Sequence, residues 1–210
     1  MRTNKKEKVI LEVAEREFLL KGFAGARTVE IASQAGVSQS MLNYYFKSKE
    51  MLFERVMEEK TKQLQESVAV VLEMEGMTAV EKIVEMIVRH FNFLCQNPDL
   101  PRFVINEVIA RPEYIEKIKN DNLPMLEDLV GRLQRDLDEA ARRGEVRQVD
   151  AATLLMDILS VNIFSFIIIP ILATANPSMD FQAFYNARCQ ENVQLILNRI
   201  NPDIKGTERE

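Results

Sequence analysis

The chain has 210 residues, of which 47% are hydrophobic and 28% charged, with a formal net charge of −5. These proportions exclude a disordered chain and allow a sizeable core in one or two domains. Glycine and proline number only seven each, so the sequence favours helices over a turn-rich β fold. Two cysteines far apart, Cys95 and Cys189, and the single histidine His90 argue against a disulfide framework or a zinc site, and no cofactor is expected.

The charge is uneven. Residues 1–49 hold nine Lys/Arg against five Glu, a net +4, which leaves −9 on residues 50–210. A basic head on an acidic body suits a polyanion-binding module joined to a soluble partner domain. The opening MRTNKKEKVILEVAEREF has neither an apolar h-region nor a small-residue cleavage site, so a cytoplasmic location is expected.

In chain order, Val9, Ile10, Val13, Ala14, Phe18 and Leu19 recur at helical spacing and predict an amphipathic helix from about Lys5 to Leu20. Lys21-Gly22 stops it, and Phe23–Arg27 is a connector. Thr28 is read as the N-cap of a short helix that packs Ile31 and Ala32 inward and ends at Gly36. Ser38 caps the next short helix, Gln39 to Phe46. Two short helices joined by three or four residues including a glycine are a helix-turn-helix pattern.

Ser48 caps another helix, with Glu50 in its first turn, running on past Leu64 to Leu72, with Gly76 the first break. Further helices are expected over about Ala79–Gln96 and Leu100–Ala110. A third region starts near Glu113, is interrupted near Pro124 and continues to Arg143, with Gly144 as its C-cap. Asp150 caps Ala151–Thr174, and Asp180 opens Phe181–Ile200. The segment Leu154–Ala173 is about long enough to cross a bilayer. It carries Asp157, Asn162, Ser165 and Pro170, however, and reads better as a buried interface helix than as a membrane span. His90 reads as an ordinary exposed histidine more readily than as a polar handle in a pocket.

The informative stretch is Ser38-Gln39-Ser40-Met41-Leu42-Asn43-Tyr44-Tyr45-Phe46-Lys47-Ser48-Lys49. Leu42 and Phe46 are four apart and anchor one face. Gln39, Ser40, Asn43, Tyr44 and Tyr45 are left to the outside. Glutamine and asparagine suit base edges, while tyrosine hydroxyls and lysines suit phosphate oxygens. Lys47 and Lys49 follow at once. The chain has no Gly-rich phosphate loop, no G-x-S-x-G, no H-E-x-x-H and no second histidine, so it is not read as an enzyme.

Thr28-x-x-Ile31-Ala32-x-x-Ala35-Gly36-Val37-Ser38, followed by Leu42-x-Tyr44-Tyr45-Phe46-x-Ser48-Lys49-Glu50-x-Leu52, resembles the DNA-binding domain of the tetracycline-repressor (TetR) family. The resemblance covers the first fifth to quarter of the chain. It implies an all-α fold of about nine helices, with a three-helix helix-turn-helix domain over 1–49, an effector-binding and dimerisation domain over 50–202 and a tail over 203–210. It also implies that Thr28 and Ser38 cap helices and touch phosphates. Gln39, Ser40, Met41 and Asn43 would then read bases, and Tyr44, Tyr45 and Lys49 would hold the DNA backbone. Asn43 stands where the family often has tyrosine, and Met41 where a small residue or threonine is frequent, so no known operator is carried over.

For the body, the resemblance implies that the last two long helices of each subunit pair in a homodimer. Leu155, Leu159, Phe164, Val193, Ile196 and Ile200 are the expected interface. A small apolar or amphipathic effector would lie among the helices before them, with His90, Phe91, Phe103, Asn106, Met125 and Asp157 as candidate contacts. The implied function is a ligand-responsive regulator, repression being the family's usual mode, that binds near-palindromic double-stranded operator DNA and is released by its effector. The helix from Ser48 would transmit the change as a pendulum. The alternative is a helical adaptor whose helix-turn-helix no longer binds DNA.

Overall fold

In the computed structural model, backbone structure is described for residues 5–109 and 112–203, and side chains for these except 112–115 and 117–122. Residues 204–210 of the expected tail lie outside the described residues. Nine α-helices and no strand occur among the described residues: α1 (Lys5–Gly25), α2 (Thr28–Gln34), α3 (Gln39–Tyr45), α4 (Lys49–Ala69), α5 (Ala79–Gln96), α6 (Leu100–Phe103), α7 (Pro112–Arg142), α8 (Ala151–Ala175) and α9 (Phe181–Ile200). A 3-10 turn, Val70–Glu73, extends α4, and a π-turn, Val104–Ile109, extends α6.

The chain divides into two compact units. One is Met1–Gln65 with Phe103–Arg111; the other is Glu66–Arg102 with Pro112–Glu210. The boundary between them falls inside α4.

The first unit, the head, is built on the periodicity of α1. Ile10, Val13, Ala14 and Phe18 are buried together with Ile31 and Ala32 of α2, Leu42 of α3, and Leu52, Phe53 and Val56 of α4. Aromatic edges fill the centre: Phe53 meets Phe18 at 5.3 Å, Phe23 at 5.1 Å and Phe103 at 5.6 Å between ring centroids. The regular part of α1 is broken at Gly22, whose φ of 68° lies in the left-handed region.

The second unit, the body, buries Ile83, Met86 and Ile87 of α5, Leu133, Leu137 and Ala140 of α7, Leu154 and Ile158 of α8, and Ile196 and Ile200 of α9. Its helix starts use side-chain caps. Thr78 and Glu81 form a reciprocal capping box before α5, and Asp150 and Asp180 accept from the amides of Thr153 and Ala183. The Thr153 hydroxyl and amide hold the Asp150 carboxyl below its ordinary range.

Pro124 does not interrupt the chain: α7 runs through it without a break. The proline lies in an exposed stretch, residues 123–128. There the proline ring meets solvent, so its bulk disturbs no packed surface. Among the described residues, α8 is long and apolar enough to cross a membrane. It nonetheless packs in the body through Leu154, Ile158, Asn162, Ser165 and Phe166.

Candidate nucleic-acid interface

The turn between α2 and α3 is closed by the backbone. The Ala35 amide donates to Ile31 O at 2.9 Å, Gly36 to Ser33 O at 3.1 Å and Val37 to Ala32 O at 3.0 Å. Gly36 holds φ at 65°, which an L side chain rarely adopts. Ser38 then caps α3, its Oγ accepting from the Met41 amide at 3.2 Å and lying 2.9 Å from Ser40 Oγ. Leu42 and Phe46 are buried as their spacing requires. Ser48 caps α4, accepting from the Met51 amide at 3.2 Å. The carboxylate of Glu50 is held below its ordinary pKa by its own backbone amide and then by the Ser48 hydroxyl.

Anchoring one face of α3 turns the other outward. Ser40, Asn43 and Tyr44 are exposed, Tyr44 at 80%, and Lys47 is exposed just beyond the helix. Met41 and Tyr45 are half-buried. The Tyr45 ring meets that of Tyr44 edge-on, with centroids 5.5 Å apart.

Three expected roles take a different form. Thr28 is the first helical residue of α2 and not its N-cap, which is Arg27. The Thr28 hydroxyl instead accepts from Gln39 Nε2 at 3.2 Å, because α2 and α3 bring the two side chains together. Gln39 is turned inward: Nε2 also donates to Asn43 Oδ1 at 3.2 Å, and Oε1 is buried. Lys49 lies over the Phe23 ring, 4.7 Å from its centroid, and donates to Ala24 O at 3.3 Å, which ties the start of α4 to the connector after Gly22.

A polar cluster behind this face was missed in sequence. Glu17, only 3% exposed, accepts from Lys21 Nζ at 2.8 Å and from Gln34 Nε2 at 3.0 Å, and Lys21 also reaches Glu30 at 2.6 Å. These bonds raise the Lys21 pKa and lower that of Glu30, and they tie α1 to both ends of α2. The available signal was that Glu17 falls on the apolar face of its helix.

A family model described as "Bacterial regulatory proteins, tetR family" matches residues 10–56. These residues run from the first buried position of α1 to the last of α4 in the head core. Over these residues the chain is similar to the helix-turn-helix domain of tetR-family bacterial regulatory proteins. The match places a regulator-type helix-turn-helix at α2 and α3.

The fatty acid metabolism regulator protein of Bacillus subtilis is 27% identical to this chain over 139 residues, 66% of this chain and 70% of that protein. Among solved structures, a TetR/AcrR-family transcriptional regulator from Thermobifida fusca has a TM-score of 0.69 at 20% identity, covering 98% of this chain and 100% of that one. The regulator FadR from Bacillus subtilis, solved in complex with stearoyl-CoA, has a TM-score of 0.65 at 23% identity, covering 89% of this chain and 97% of that one. At these identities the structural likeness is one of fold.

In the body, His90 is buried, 4% exposed, and is not the surface histidine expected. Its environment is a chain of amides. Asn162 Nδ2 donates to Ile87 O and to His90 Nδ1, both at 3.1 Å, and Asn192 Nδ2 donates to Asn162 Oδ1 at 2.9 Å and Val161 O at 3.0 Å. Desolvation lowers the His90 pKa to about 4. The neutral ring then accepts at Nδ1. Phe91 is beside it, against Phe166 at 5.3 Å and Tyr185 at 6.3 Å.

Of the other four expected effector contacts, two fall in the head unit and two in the body. Phe103 and Asn106 belong to the head unit, where Phe103 fills space against Phe53 and Asn106 is exposed on the π-turn. Met125 is exposed on α7, and Asp157 pairs with Arg199 at 3.5 Å. Of the expected dimer residues, Leu159 and Phe164 are exposed and Leu155 and Val193 half-buried. Ile196 and Ile200 are consumed by the protomer's own core, because α9 turns that stripe toward α5, α7 and α8.

Proposed function

We propose that the protein is a cytoplasmic homodimeric repressor that binds a near-palindromic operator and is released by an acyl-CoA-type effector. The observation that carries the DNA reading is the outer face of α3, where Ser40, Asn43 and Tyr44 stand exposed on a helix anchored by Leu42 and Phe46, with Lys47 alongside. Two-fold symmetry would set two such helices roughly 34–36 Å apart, one turn of DNA. Support for the dimer comes from the exposed apolar side chains of α8 and α9, Met156, Leu159, Phe164 and Leu195, which a second copy would cover.

The acyl-CoA class rests on the regulator of fatty acid metabolism at 27% identity and the fold shared with the stearoyl-CoA complex. We place effector action in the body, around His90 and Phe91 on α5. DNA reading belongs to the head, α4 linking the two as a pendulum. Release requires that the effector bind the two states unequally; a coupling of about 1–3 kcal/mol is typical.

The test is footprinting on the DNA upstream of the protein's own gene at defined salt, with and without stearoyl-CoA, and with free CoA as control. A protected near-palindrome that is lost with stearoyl-CoA and kept with CoA is the expected result. No protection at low salt by a folded dimer would favour the adaptor reading. Protection indifferent to stearoyl-CoA would remove the acyl-CoA assignment and leave the DNA reading standing.

A further inference from the structure

Gln39 is placed like a base reader but has no polar group left for a base. Its Nε2 carries two hydrogens. One goes to Thr28 Oγ1 and the other to Asn43 Oδ1, each at 3.2 Å. Its Oε1 is buried and has no partner among the described residues. The reverse orientation of this amide would bury two N–H donors without acceptors in place of one carbonyl, a worse loss.

Asn43, one turn on, is exposed. With Oδ1 turned back to Gln39, its free polar end is Nδ2, which has no partner among the described residues. Bidentate pairing with adenine needs the oxygen and the nitrogen of the amide side by side on the base edge. Here the oxygen is drawn along the helix, away from that edge.

We infer that Asn43 reads DNA as a hydrogen-bond donor, selecting a base edge that presents acceptors, and that Gln39 is a positioning residue that orients it. Guanine, with N7 and O6, and thymine, with O4, offer acceptors in the major groove without a donor on the same edge, whereas adenine sets its N6 amino group beside N7. Thr28 completes the relay. Its oxygen accepts from Gln39, so its proton points elsewhere and is available to a phosphate. The inference rests on the DNA-binding reading above and adds which chemical edge is recognised.

The experiment is selection of binding sites from a random-sequence duplex library, followed by titration of the selected site carrying each of the four bases at every position. The wild-type chain, Asn43→Ala and Gln39→Glu are compared, each checked for a thermal midpoint like that of the wild type. For the wild type, one position in each half-site favours guanine or thymine by about tenfold over adenine and cytosine; the titration shows which of the two it is. Asn43→Ala flattens that position alone. Gln39→Glu keeps the side-chain size but replaces the donor with an acceptor. Asn43 then turns its nitrogen inward and its oxygen outward, and the same position shifts toward cytosine or adenine.

Adenine favoured by the wild type at the Asn43-dependent position would overturn the inference. So would a Gln39→Glu variant that weakens all sequences equally, or one that alters a different position only. If no duplex is enriched, the DNA-binding reading itself falls, and the inference with it.

Discussion

The head and the body each bury polar side chains, and they do so in opposite ways. In the head, Glu17 is met by Lys21 and Gln34, long side chains reaching in from the rim, within seventeen residues of sequence. In the body, His90, Asn162 and Asn192 are joined across 72 and 30 residues. The Lys21 bond follows local helix geometry, in which residues four apart share a face, and the Gln34 bond needs only the next helix in sequence. The body's arrangement exists only when α5, α8 and α9 have packed. Burial of the His90 Nδ1 and of both polar groups of Asn162 is tolerated because each finds a partner, and that partner is supplied by a distant part of the chain.

The largest effect should come from the head's aromatic centre. Phe53 is fully buried among Phe18, Phe23 and Phe103. Phe53→Ala is expected to cost about 3–5 kcal/mol in denaturant unfolding. A loss under 1 kcal/mol would mean that the head core collapses readily around the gap.

His90 sharpens the contrast through pH. Its folded-state pKa of about 4 lies below the ordinary 6.5. The unfolded chain therefore takes up the proton first as pH falls. The contribution of the neutral ring is complete above pH 6.5, declines as pH falls from 6.5 toward 4, and is lost below that. The span corresponds to about 3 kcal/mol. Unfolding curves at pH 7.5, 6 and 4.5 should show this decline in the wild type and a shallower one in His90→Gln. Equal slopes would place the proton elsewhere.

Asn162→Ala should cost roughly 1–3 kcal/mol, since the His90 ring nitrogen and the Ile87 carbonyl lose a shared donor. The same substitution at exposed Asn43 should leave stability within about 0.5 kcal/mol. If both variants melt alike, the amide network contributes nothing to the body.

The last substitution isolates a backbone conformation. A Cβ at Gly36 would meet nothing within 4 Å, so the cost of Gly36→Ala comes from its φ of 65° alone. About 1–2 kcal/mol is expected, read as a shift of the thermal midpoint. A shift no larger than that of an ordinary surface substitution would show that the turn can adopt another conformation.

What the sequence by itself determined is the head and the helix inventory. The anchors Leu42 and Phe46, the Ser38 and Ser48 caps and the turn at Gly36 depend on spacings of a few residues, and local geometry enforces them. The ends of α5, α8 and α9 were legible for the same reason, since caps and breakers are local.

Tertiary structure decided which way the ambiguous faces turn. Helix α8 is apolar nearly all round, so its periodicity cannot say that Asn162 faces α5 and α9 while Phe164 faces outward. In α9, Ile196 and Ile200 go to the protomer core because α5, α7 and α8 offer them space there. Gln39 turns inward because Thr28, eleven residues earlier, lies within reach across the helix-turn-helix. Pattern marks a residue as apolar or polar, but only the packed neighbours determine which surface it meets.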